Sequence, residues 1–200
     1  MKMRVQALAV CMTAWALLIV AKLAAQTQIV GAPQLAHVQL LGLNDFHGQL
    51  DAARKLNDRP VGGAAVLASY LRDASMLFSG DTLIVHAGDW VGASPPSSAL
   101  LQDEPSIDVL NLLANPACTH HNRMNPRCNI VGTPGNHEFD EGVSELVRLV
   151  RGGNHKRGPF LDNPYRGARF PYVSATVVDR QTGATVFPPY VIKQLSGIKL

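Results

Sequence analysis

The stretch Gly132 to Gly142, GTPGNHEFDEG, decides how this chain is read. It sets Asn136, His137, Glu138, Asp140 and Glu141 within six residues behind a Thr-Pro-Gly turn. Oxygen and nitrogen donors gathered this closely are what a divalent cation requires. Polar residues also collect on turns for solvation alone, so the stretch gains its meaning from its neighbours. The apolar run HVQLLGLND (37–45) ends in Asp45, with His47 two residues on; TLIVHAGD (82–89) ends in Asp89; NIVG (129–132) leads into Asn136 and His137. Three strand-like runs would then deliver Asp-x-His, Gly-Asp and Asn-His to one edge of a sheet.

Working outward, residues 37–44 predict a strand buried on both faces. Residues 48–60 read as a polar loop, and the apolar positions Ala65, Val66, Leu67, Tyr70 and Leu71 predict a helix entered through Gly62 and Gly63. Residues 82–87 predict a second strand. Pro95 and Pro96 delay the next helix until Ser97 or Ser98, giving a short helix over 98–102 and another over 106–113 with Ser106 as its cap. Residues 115–127 are an irregular insertion, 129–132 the third strand, and Val143, Leu146, Val147 and Val150 share one face of a helix over 143–151. PYVSATVVD (171–179) reads as a fourth strand, and residues 187–200 begin another. Strands alternating with helices give an α/β class, in which ligands gather beyond the carboxyl ends of the strands.

The donors suit a pair of divalent cations. Asp45 and His47, two apart, can grip one ion together; Asp89 can reach the same ion and bridge to a second; Asn136 adds an amide oxygen. Such a set accepts Zn, Mn, Fe, Mg or Ca. Two ions about 3.5–4 Å apart bind phosphate oxygens and make hydroxide available near neutral pH. His137, next to Asn136, can face the substrate and protonate a leaving oxygen, with Asp140 orienting its ring. Each residue also has a plainer reading: Asp45 and Asp89 as turn residues, His47 as a solvated loop histidine, Asn136 in a left-handed turn, Asp140 as the cap of the following helix. His86, inside a strand, reads as a core histidine with its hydrogen bonds satisfied.

Composition, 46% hydrophobic and 16% charged, is that of a globular domain. Lys2 and Arg4 precede an apolar run from Val5 to Ala21, with Ala24 and Ala25 following, the layout of a secretory signal peptide over 1–25; a retained membrane anchor is the alternative. Residues 26–36 then form a tether. Losing Lys2, Arg4 and Lys22 takes the formal charge from +3 to zero, so nothing electrostatic favours a nucleic-acid polymer or a membrane surface as partner. In an exported chain Cys118 and Cys128 can pair; a zinc shared with His120 and His121, or free thiols, are the other readings.

LNDFHGQL (43–50), HAGDWVGASPPSS (86–98) and GTPGNHEFDEG, followed by FPYVSATVV (170–178), closely resemble the 5′-nucleotidase / 2′,3′-cyclic phosphodiesterase branch of the calcineurin-like metallophosphoesterases. The resemblance runs from about residue 37 to 192. It implies an enzyme exported to the periplasm or medium, with a two-sheet αββα catalytic domain and two metal ions. By motif, Asp45 and His47 resemble ligands of the first metal, Asp89 the bridge, Asn136 a ligand of the second, and His137 with Asp140 the catalytic pair. The family's downstream Gly-His-x-His motif and nucleoside-recognising C-terminal domain have no counterpart here, for His155 is the last histidine. Residues 37–200 are therefore expected to be the N-terminal part of a longer catalytic domain, an incomplete α/β sandwich with an open edge and an exposed apolar face. The implied activity is hydrolysis of a nucleotide phosphate ester. The alternatives are a non-catalytic remnant, or a sibling acting on cyclic nucleotides, nucleotide sugars or a sulfur ester.

Overall fold

A computed structural model describes residues 35–52 and 54–200. The expected signal segment and the tether through residue 34 lie outside the described residues. Strand β1 (Val38–Leu43) leads to a small antiparallel hairpin of β2 (Arg54–Leu56) and β3 (Arg59–Val61), then helix α1 (Ala64–Leu77) and strand β4 (Asp81–His86). Helices α2 (Pro96–Ala99) and α3 (Glu104–Leu113) carry the chain to β5 (Ile130–Gly132), and α4 (Val143–Arg151) follows. Strands β1, β4 and β5 form one parallel sheet in that order, with Leu43 beside His86 and His86 beside Gly132. Because all three run the same way, the turns that follow them emerge at one edge.

The main core lies on the sheet face carrying Ile84, His86 and Ile130, covered by Ile107 and Leu110 of α3 and Leu146, Leu149 and Val150 of α4. Val143, expected on that face, is exposed, because it opens the first turn of its helix; Leu149 takes the buried place instead. On the opposite face Leu83, Val131 and Leu195 make a smaller cluster. Strand β1, expected to be buried on both faces, lies at the edge of this sheet with no buried residue, and its Leu40 is 61% exposed.

Several expectations need correction. The loop over 48–60 contains the β2–β3 hairpin. Helix α2 begins at Pro96, a residue whose missing N–H costs nothing in the first turn, rather than after it. Helix α3 begins at Glu104 behind Asp103, and Ser106 is not its cap: the buried Ser106 hydroxyl meets that of Ser98 at 2.7 Å. The fourth strand does not form over 171–179. β5 is three residues long, so Pro171 to Val173 pair with it only around Gly132, after which Ser174 turns to donate to Pro188 O. The segment 187–200 yields only the two-residue strands β6 (Gln194–Leu195) and β7 (Ile198–Lys199). Cys118 and Cys128 are joined in a disulfide, both fully buried.

Candidate metal centre

Beyond the last paired residues of β1 and β4, the two turns continue to bond to each other. Asp45 N–H donates to Gly88 O, His47 N–H to Asp89 O at 3.0 Å, and Gly48 N–H to Trp90 O at 3.1 Å. Between Asp45 and His47, Phe46 points inward and stacks on the fully buried Trp90, ring centroids 4.2 Å apart. The indole N–H of Trp90 donates to Ser106 O at 2.7 Å, anchoring this pair on α3. An apolar clamp thus fixes the register that sets Asp45 and His47 beside Asp89.

The turn after β5 closes onto the turn after β4. Gly88 and Gly135 touch so closely that a Cβ on Gly88 would overlap Gly135 N, and one on Gly135 would overlap the Asp89 carboxylate. The His137 amide donates to Asp89 Oδ1 at 3.0 Å. As a result, donor atoms of His47, Asp89 and His137 lie within 4.8 Å of one another. Asp45 Oδ1 stands 3.8 Å from His47 Nε2. The His47 and His137 rings meet edge to face at 4.9 Å, and His47 Nδ1 faces Gly92 O at 2.9 Å. Asn136 is exposed and adjacent, in right-handed rather than left-handed backbone conformation. The His47 imidazole and the Asp45 and Asp89 carboxylates, with the Asn136 amide on the adjoining turn, are a donor set that Zn, Mn or Fe accepts, so the residues present fit a divalent cation.

His137 Nδ1 and Asp140 Oδ2 are 2.9 Å apart. That hydrogen bond raises the His137 pKa above the ordinary histidine value, and the same bond lowers that of Asp140. Asp140 is not the cap of α4; Gly142 holds that position. Beside the pair a cleft of about 180 Å³ opens, lined by Gly92, Asp103 and Glu145 among others.

Sequence reasoning gave Glu138 no role. The structure buries it with three backbone amides around its carboxylate, from Asp89, Trp90 and Gly135. Burial raises its pKa while those amides oppose the rise. His86 is buried as expected but not satisfied: neither ring nitrogen has a hydrogen-bond partner among the described residues. It is packed among the rings of Trp90, Phe170 and Tyr172, the Tyr172 hydroxyl is likewise buried without a partner, and burial lowers the His86 pKa to about 3. His120 faces Gly167 O at 3.0 Å and takes no part in the centre.

Known proteins carry similar sequences. A cell wall protein of Listeria monocytogenes is 38% identical over 87% of this chain and 22% of its own length. An endonuclease of Bacillus subtilis is 37% identical over 84% of this chain and 13% of its own. A 5′-nucleotidase of Vibrio parahaemolyticus is 26% identical over 80% of this chain and 23% of its own. The chain thus spans less than a quarter of each of these relatives. The family model for calcineurin-like phosphoesterase matches residues 38–192, which take in all three turns of the centre, and the chain belongs to that family.

Proposed function

We propose that this chain supplies a dinuclear metal site for hydrolysis of nucleotide phosphate esters in an exported enzyme. The observation that carries the reading is the convergence of His47, Asp89 and His137, with Asp45 flanking them, at the carboxyl edge of the parallel sheet. Asp45, His47, Asp89 and Asn136 would hold two divalent cations. When bound, the cations would supply charge stabilisation at phosphate oxygens and a water acidified enough to react near neutral pH. His137 is then the acid. Its Nδ1 is engaged by Asp140, which leaves the Nε2 edge to donate to the leaving oxygen, and that hydrogen bond shifts the ring's pKa upward.

The nucleotidase relatives support a nucleotide substrate, and the cell wall relative supports export. The cleft beside His137, about 180 Å³, lies next to the proposed acid and below the usual size of a small-molecule site. A second reading, cleavage of a nucleic-acid phosphodiester, is favoured by the endonuclease relative. A formal charge near zero after signal removal weighs against it, since polymer binding draws on phosphate neutralisation.

The test is phosphate release from AMP, beside cleavage of single-stranded DNA, with Mn²⁺ added to the chain and to Asp89→Ala. Release from AMP that falls at least about 100-fold in Asp89→Ala supports the proposal, given the weight of groups of this kind in catalysis. Equal release from both proteins contradicts it.

A further inference from the structure

Resting on the metal-site reading above, the geometry points to Glu138 as a positioning residue that sets the separation of the two donor-bearing turns. Its Oε2 accepts the amides of Asp89 at 2.8 Å and Gly135 at 2.6 Å, and its Oε1 accepts that of Trp90 at 2.8 Å. Two of these amides belong to the turn after β4 and one to the turn after β5. The tie is reciprocal, because Asp89 Oδ1 accepts the amide of His137 in return. Each turn therefore lends a carboxylate to the backbone of the other.

This arrangement is costly unless it serves the site. Glu138 is 3% exposed, and no Lys, Arg or His pairs with it among the described residues. Only amide hydrogens offset the desolvation of its charge. Asp89, one of the tied residues, sits at φ 53°, a left-handed conformation that persists only where surrounding bonds over-determine it. The bond from the Asp89 amide to Glu138 and the bond from the His137 amide to Asp89 supply that determination.

The carboxylate is specifically needed. Three donors and no acceptor face it, so glutamine would turn an NH₂ toward at least one backbone N–H. Aspartate keeps the charge but is shorter by one methylene, about 1.5 Å, too short to reach both turns from the same backbone position.

The experiment measures Mn²⁺ affinity of the full chain, Glu138→Gln and Glu138→Asp by electron paramagnetic resonance of free Mn²⁺, at a temperature where circular dichroism shows each one folded. Both substitutions are expected to weaken Mn²⁺ binding about 10- to 100-fold, as losing an outer partner of a metal site does. A folded Glu138→Gln with parental affinity overturns the role of Glu138 and leaves the metal centre standing. A parent chain that binds no Mn²⁺ overturns both. In the unaltered chain, slow hydrogen exchange at the amides of Asp89, Trp90 and Gly135, slowed further together on adding Mg²⁺, supports the bracket whether or not the variants fold. Exchange at the rate of free loop amides overturns it.

Discussion

Asp45, His47 and Asp89 share a backbone conformation that donors on a regular strand would not have: φ is 53°, 46° and 53°. Left-handed backbone at three non-glycine residues in two adjoining turns is strain held where side chains must converge. Asp45 carries the simplest test, because its side chain is mostly exposed and, among the described residues, meets only the Asn44 amide and the His47 ring. Asp45→Gly should stay within about 1 kcal/mol of the parent in denaturant unfolding, and Asp45→Ala should fall about 1 kcal/mol below Asp45→Gly. Both should lose Mn²⁺ affinity. At His137, Asp140→Asn removes the main cause of the raised pKa, so an NMR titration should find the ring losing its proton at lower pH than in the parent. The positions of Asp45, His47 and Asp89 on turns were legible in the sequence, since each stands at a fixed offset from a strand-like run. Glu138 was not, because its worth lies in amides contributed by a turn 48 residues earlier in the chain, which no local pattern encodes.

At the scale of elements, the three strands that carry the centre were readable, because continuous β-branched and apolar runs ending in polar turns have few other solutions. The region after residue 170 was not. Its apolar alternation promised a strand, but pairing needs a partner, and β5 presents only three residues. Lys193, just before β6, shows what this C-terminal segment tolerates. It is 2% exposed, its ammonium donates to Ile130 O at 3.3 Å, and burial lowers its pKa to about 8. Since the unfolded chain holds this proton up to about pH 10.4, the cost of burying the charge is complete below pH 8 and is relieved between pH 8 and 10. Lys193→Met should therefore raise stability at pH 7, and the gain should shrink as pH rises to 10. A gain that does not change with pH would place its cause in packing rather than charge.

For the whole molecule, the same reasoning sets the acid limit. His86 resists protonation in the folded state down to about pH 3, whereas in the unfolded chain it titrates near its ordinary value. The unfolded state binds the extra proton across that interval, so stability present above about pH 6.5 is lost as pH falls toward 3. His86→Leu should flatten this limb, read from unfolding midpoints between pH 7 and 4. An unchanged slope would assign acid sensitivity to the carboxylates instead. The alternating α/β order and the shared edge of the sheet were deducible from the sequence. The orphaned nitrogens of His86 were not, because they depend on which aromatic rings close over that strand.

The proposed function stands on one arrangement, the meeting of three turns at the sheet edge where cations would be held. The most direct measurement is anomalous diffraction from crystals of this chain soaked in Mn²⁺. The account predicts peaks about 2.0–2.4 Å from donor atoms of Asp45, His47, Asp89 and Asn136, with the Asp89 carboxylate between two of them. Manganese bound elsewhere on the chain, with none at these four residues, would contradict it.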